Sequence, residues 1–251
     1  MTTVPTIVTV PCFSGAPWDL GRLTPLADRP LRTMHLPDRV EDIEGYADFV
    51  AAQVADLHDY VLVGDSFGAV VALAVATRRP QGLRALVLSG GFAANPVDSP
   101  ALRAKIVAAR YLPGPLYRQV VLRLHAASLA SPHDAEGRVR WTQADSRRLF
   151  TDNTPHRSYV RRAAAAFAAD YRDTLQQIAV PTLILTPSHD ELIGAAASSV
   201  MREGIPDATE VVLPRTGHMF RFTHPETYAS AIRHFLTERS LAPTATPALS
   251  A

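Results

Sequence analysis

One ten-residue stretch constrains this chain more than any other. Tyr60-Val-Leu-Val-Gly64-Asp65-Ser66-Phe67-Gly68-Ala69 runs from a compact apolar segment, through Gly-x-Ser-x-Gly, into an almost wholly apolar one. A buried strand that turns abruptly into a buried helix forces the residue at the turn into a strained backbone conformation and lifts its side chain above the sheet edge. Gly64 and Gly68 leave room for the turn to pack tightly. The helix N-terminus brings positive dipole and unsatisfied N–H groups to the same place, where an oxyanion would form. The spacing alone also fits a glycine-rich turn with an incidental serine. The apolar strand before it and the apolar helix after it favour Ser66 as a nucleophile.

The rest of the chain supplies a sheet for that turn. Short apolar runs at Ile7–Val10, Leu31–Leu36, Tyr60–Val63, Ala85–Leu88, Thr182–Leu185 and Glu210–Leu213 are rich in Val, Ile and Leu. Most are bounded by Pro, Gly or Asp, as suits strands covered on both faces of a parallel sheet. Helical patterns lie between them. Ile43, Tyr46, Ala47, Val50, Val54 and Leu57 recur at helical spacing behind the acids Glu41, Asp42 and Glu44. Tyr228, Ala231, Ile232, Phe235 and Leu236 mark a final amphipathic helix with Pro225 near its start. The expected fold class is α/β, a doubly wound and mostly parallel sheet.

The alternation stops between about Asn95 and Ile178. That stretch reads as helices over Arg103–Tyr111, Tyr117–Leu129 and Arg157–Tyr171, separated by Pro113-Gly114-Pro115, Ser131-Pro132 and Thr154-Pro155. It is expected to be a helical cap over 96–178, inserted into a core formed by 1–95 and 179–240. The tail from Leu241 is rich in Pro, Ala and Thr, and 241–251 is expected to be disordered.

A serine hydroxyl needs a base near neutral pH, and position must choose among nine histidines. His218, in Leu213-Pro-Arg-Thr-Gly217-His218-Met219, follows the last strand. Its loop therefore opens on the same sheet edge as the Ser66 turn, where open α/β sheets place their sites. His189 and His224 read as surface or supporting residues. His35, His58, His125, His133, His156 and His234 have no convergent context. The base needs a carboxylate to hold its tautomer, and Asp190, in the loop after Pro181–Thr186, opens on the same edge. Neighbouring Glu191 would point elsewhere. Asp98, beyond Gly90-Gly91, is the alternative acid.

Composition narrows the remaining classes. At 251 residues, 47% hydrophobic and 20% charged, the chain can bury a large core. A net charge of +1 points to neither nucleic acid nor a membrane surface. A single cysteine, Cys12, excludes an intrachain disulfide framework and any Cys-rich metal site. The N-terminus has no basic region of a signal peptide, and no run approaches the ~20 apolar residues of a membrane span. A cytoplasmic protein acting on a small molecule without metal or cofactor is expected, with its oligomeric state open.

Together these residues resemble the α/β-hydrolase family over about Thr6 to Leu236. The elbow Gly64–Gly68, Val180-Pro181-Thr-Leu-Ile-Leu leading to Asp190, Gly217-His218 and the closing amphipathic helix stand in the family's order, Ser then Asp then His. The resemblance implies a helical cap where 96–178 lies. It also implies that the family's first two strands are missing and that Asp98 is a second possible place for the acid. It places oxyanion donors at the backbone N–H groups of Phe13 and Phe67. The family's usual His-Gly after the first strand is replaced here by Pro11-Cys12-Phe13-Ser14-Gly15, which weakens the assignment of Phe13. Cys12 and Trp18 in this loop read as packing residues.

The expected activity is hydrolysis of a small carboxylic ester, lactone or related acyl bond through an acyl-enzyme. The alternatives are a non-hydrolytic enzyme of the same fold, such as a lyase or cofactor-free oxygenase, or a small-molecule receptor that retains the triad. Gly-Asp-Ser also opens the SGNH esterases, but their Asp-x-x-His is absent. An aspartate nucleophile is disfavoured by Ser66, and a carbon–carbon hydrolase by Met219, where tryptophan is usual. Finally, Pro100–Leu175 carries +7 and the remainder −6. Either the basic cap docks on the acidic body by charge, or arginines such as Arg147, Arg148, Arg157, Arg161 and Arg162 face the Ser66 pocket and bind an acidic substrate.

Overall fold

The computed structural model describes residues 4–96, 100–109, 111–131 and 140–241. The six apolar runs form six strands: β1 (Thr6–Val10), β2 (Leu31–Thr33), β3 (Tyr60–Asp65), β4 (Leu83–Ser89), β5 (Thr182–Pro187) and β6 (Ala208–Leu213). They make one parallel sheet in the order β2-β1-β3-β4-β5-β6. Its strands divide their side chains between two faces with the period of two that a pleat dictates. Val8, Val10, Leu62, Leu86, Leu88 and Ile184 join one buried cluster, and Ile7, Val61, Val63, Ala85, Val87, Leu183 and Leu185 join the other. Both faces are therefore covered, the condition under which strands read as unbroken apolar runs.

The first cluster is roofed by α1 (Ile43–Gln53), α2 (Phe67–Thr77) and, beyond the cap segment, α8 (Ala195–Gly204). Asp42 caps α1 by accepting from the Gly45 N–H. The opposite cluster is closed by α10 (Pro225–Glu238), through Tyr228, Ile232, Phe235 and Leu236. Pro225 occupies the first turn of α10, where its missing N–H costs nothing.

Between β4 and β5 the described residues hold the helices α3 (Pro100–Ala109), α4 (Gly114–Leu116), a wide π turn (Tyr117–Val121), α5 (Leu122–Ser128), α6 (Gln143–Asn153) and α7 (His156–Ala168). The one-turn helix α9 (Phe220–Thr223) precedes α10. Helix α6 escapes the sequence pattern because only Ser146 and Phe150 are buried along it, but a Thr142–Asp145 capping box starts it. Strand β2 is shorter than its apolar run because the Leu36 N–H turns to the Gly15 carbonyl instead of a neighbouring strand. Helix α1 ends at Gln53, short of Leu57. Of the expected disordered tail, 242–251 lies outside the described residues. No described helix is long and apolar enough to cross a membrane.

Part of the charge asymmetry is met by docking contacts. On α7, Arg161 donates to Glu41, Ser158 to Asp38, and Arg162 lies 3.5 Å from Asp38. Just beyond that helix, Tyr171 donates to Glu44. Arg147, Arg148 and Arg157 are exposed. Arg161 and Arg162 of α7 meet body acids, and Arg162 spends most of its guanidinium on backbone carbonyls described below.

Candidate active site

The loops after β1, β3, β5 and β6 all open at the C-terminal edge of the sheet. The strand order reverses between β1 and β3, the place where open α/β sheets hold their ligands. Ser66 stands there between β3 and α2 with φ 55° and ψ −116°, a conformation L-residues rarely adopt. The neighbourhood over-determines it. A Cβ on Gly64 would run into the Gly68 carbonyl, and one on Gly68 into the Val10 and Pro11 carbonyls. The Ser66 N–H is tied to the Ser89 carbonyl at 2.7 Å. The elbow is therefore wedged against the ends of both neighbouring strands.

His218 and Asp190 reach this point from the loops after β6 and β5. Those loops are bound to each other by Ser188 N–H to the Leu213 carbonyl and His189 N–H to the Thr216 carbonyl. Ser66 Oγ lies 2.9 Å from His218 Nε2, and His218 Nδ1 lies 2.8 Å from Asp190 Oδ2. The other Asp190 oxygen accepts from the Leu192 and Ile193 N–H groups at 2.9 and 3.0 Å. Burial pushes the Asp190 carboxyl up. The His218 charge and hydrogen bond, with those two amides, outweigh it and hold the group below its ordinary value. An ionised Asp190 fixes the proton on Nδ1 and leaves the Nε2 lone pair toward the Ser66 hydroxyl. Glu191 is exposed, as its adjacency suggested. His189 is exposed and bound to Ser188, and His224 is half-buried against Thr223. Asp98, like His133, lies outside the described residues.

Phe67 opens α2, so its N–H belongs to the first-turn donors that have no acceptor within a helix. Phe13 sits in the turn after β1, closed by Gly15 N–H to the Cys12 carbonyl. The fully buried Arg162 of α7 grips this turn, donating to the Phe13, Ser14 and Leu36 carbonyls at 3.1, 2.8 and 3.1 Å. Gly15, at φ 75°, has no room for a side chain because the guanidinium fills the space. Cys12 is buried beside Ser14. Burial raises its thiol pKa, with Asp65 adding to the effect, which suits a packing residue and not a nucleophile.

Two further features were not legible in the sequence. Asp65 and Arg221, each next to or near a site residue in sequence, form a buried ion pair at 2.7 Å. The Arg221 guanidinium also lies 4.2 Å from the Trp18 ring centroid and 3.9 Å from that of Phe222. It borders a cleft of about 170 Å³ whose lining includes Ser14 and Trp141 but neither Ser66 nor His218. The helices between β4 and β5 contribute an aromatic cluster of Tyr117, Phe150 and Tyr159, a roof that packs with Met219 and Leu192 from the His218 and Asp190 loops. His125, without convergent context in the sequence, stacks on Phe150 at 4.6 Å and meets the Phe13 ring edge-on at 5.3 Å. Spacing within α5 gives no hint of these partners, which come from other elements. Among the described residues no group of three His, Cys, Asp or Glu side chains could hold a metal ion.

Comparison with known proteins agrees with this architecture. The family model described as "Serine aminopeptidase, S33" (Hydrolase_4) matches residues 29–222. The chain is similar to a 2-hydroxymuconate semialdehyde hydrolase of Pseudomonas putida, 30% identical over 79% of this chain and 68% of the relative. It is similar to a pimeloyl-acyl-carrier-protein methyl ester esterase of Neisseria meningitidis serogroup C, 28% identical over 78% of this chain and 75% of the relative. Among solved structures, a hydrolase from Pseudomonas aeruginosa PA01 superposes with a TM-score of 0.78 at 19% identity, covering 92% of this chain and 89% of that one.

Proposed function

Because the chain belongs to this Hydrolase_4 family and has the α/β-hydrolase fold, we propose that it is a serine hydrolase cleaving an ester or related acyl bond of a small molecule through an acyl-enzyme on Ser66. The observation that carries this reading is the unbroken chain from Asp190 through His218 to the Ser66 hydroxyl, with spacings of 2.8 and 2.9 Å. His218 Nε2 takes the hydroxyl proton as Oγ attacks the substrate carbonyl. The oxyanion forms beside the Phe13 and Phe67 amides, whose donors are in place before charge develops. Collapse expels the alcohol, which receives the proton held by His218. Water then repeats the sequence in reverse, with His218 as base, and releases the acid and free Ser66. Asp190 keeps its charge throughout and stabilises the imidazolium. Residues 96–178 act as the cap over this site, and the relatives' own names span an ester and a semialdehyde substrate.

A fluorophosphonate probe is expected to label Ser66 in the native protein and to lose that label in Ser66→Ala, together with turnover of small methyl esters. Labelling that persists in Ser66→Ala removes the assignment. Labelling of Ser66 without turnover of any ester points instead to a receptor or a non-hydrolytic enzyme.

A further inference from the structure

In the roof over Ser66, His125 carries a ring nitrogen with nothing to bind. His125 Nδ1 is shielded from solvent and has no hydrogen-bond partner, although the residue as a whole is half-buried. Buried polar atoms are overwhelmingly satisfied in folded proteins, and leaving one unmet costs about 1–3 kcal/mol. The ring is held among Phe13, Phe150 and Tyr159, with centroids 5.3, 4.6 and 5.5 Å away. Phe13 carries one of the proposed oxyanion donors, so His125 packs directly on the loop that would hold that donor and is not lost in a remote core.

We propose that the substrate's acyl chain is apolar except for one uncharged oxygen, a ketone or hydroxyl, which His125 Nδ1 hydrogen-bonds. This rests on Ser66 being the acylated residue. The rest of the roof is aromatic and aliphatic, which suits a hydrocarbon chain. A wholly apolar chain would leave Nδ1 unmet. A carboxylate would have to shed its water where none of the five arginines singled out in the sequence answers it. Arg147, Arg148 and Arg157 are exposed, Arg161 is bound to Glu41, and Arg162 is bound to three carbonyls. Nor does His125 supply a charge at neutral pH: burial pushes it down to about 4, with His218 adding to the effect. As a neutral imidazole it can offer either an N–H or a lone pair at Nδ1, so it accommodates a ketone in one tautomer and a hydroxyl in either.

The test compares methyl hexanoate, methyl 4-oxo- and 5-oxohexanoate, methyl 4-hydroxyhexanoate and monomethyl glutarate by methanol release, with the uncatalysed rate subtracted. Native protein is expected to favour at least one oxo or hydroxy ester over the hexanoate by about tenfold in kcat/KM, as one hydrogen bond of this kind supplies, and to disfavour the glutarate. In His125→Phe, or His125→Leu if the former does not fold, that preference falls to near unity while hexanoate turnover persists. His125→Asn, whose amide reaches the Nδ1 position, is expected to retain it. An unchanged preference in His125→Phe, or a native preference for the glutarate, overturns the proposal. Loss of all turnover without Ser66 labelling would fail the hydrolase reading instead. Binding to Ser66→Ala protein then decides the present point: 4-oxohexanamide or 4-hydroxyhexanamide must bind more tightly than hexanamide, and equal binding overturns it.

Discussion

Arg221→Met tests whether the buried ion pair under the elbow holds the site together. In the native protein Asp65 and Arg221 are 4% and 8% exposed and bonded at 2.7 Å. Removing the guanidinium leaves the Asp65 carboxylate with only a 3.4 Å hydrogen bond from Ser89 Oγ. Stranding one member of a buried pair costs about 3–5 kcal/mol. The lost stacking on Trp18 and Phe222 places the expectation at the upper end. At roughly 2–4 °C per kcal/mol for a domain of this size, the melting temperature should fall by about 10–20 °C at pH 7.5. Asp65→Asn combined with Arg221→Met should recover a large part of the loss at pH 7.5, since the double variant strands no charge. Thermal and urea unfolding of the two single variants and the double variant form the cycle. If Arg221→Met costs under about 1 kcal/mol, below the range for breaking a buried pair, or the double variant is no more stable than Arg221→Met, the pair does not carry this load.

Four other outcomes follow from contacts elsewhere around the site. Asp190→Asn should lower kcat by a factor on the order of 10⁴ while leaving the melting temperature within a few degrees, since the amide favours the wrong His218 tautomer; stopped assays and circular dichroism together check this. Because native Asp190 is held below the ordinary carboxylate range, the acid limb of kcat/KM should fall in the histidine range, about pH 6–7.5, and not near pH 4. Arg162→Met should reduce kcat by about tenfold or more with KM little changed, because the Phe13 turn loses three hydrogen bonds that set its geometry, and added guanidinium should restore part of the rate. His125 has a folded pKa of about 4, below the unfolded histidine value, so the unfolded chain binds the proton first as pH falls. Stability from this group is therefore full above about pH 6.5 and is lost toward pH 4, by at most about 3 kcal/mol. Denaturant titrations at pH 7 and 4.5 should show a smaller acid loss in His125→Phe.

Much of the site is legible in the sequence because its geometry is dictated locally. Gly64, Ser66 and Gly68 are adjacent in the chain, and the strand-to-helix turn that strains Ser66 is written in the residues on either side. His218 and Asp190 were reachable by a different route. Parallel strands place all their following loops on one edge, so knowing which residue follows which strand nearly locates it. The six strands were legible for a related reason: burial on both faces removes the polar alternation and leaves runs that contrast with everything around them.

Contacts between elements distant in sequence obey no such rule. Arg162 was one of several cap arginines that either reading of the basic cap could claim, and only the approach of α7 to the Phe13 turn made it a clamp on backbone carbonyls while Arg147 and Arg148 stayed in solvent. Asp65 and Arg221 are 156 positions apart, and nothing in either segment requires the other. His125 became an unmet hydrogen-bonding group over the site only once α5, α6 and α7 had closed around it. Local backbone preference and strand order settle where Ser66, His218 and Asp190 stand. What surrounds them depends on how separate helices pack, and the free energy of that packing is shared among residues that no short stretch of sequence brings together.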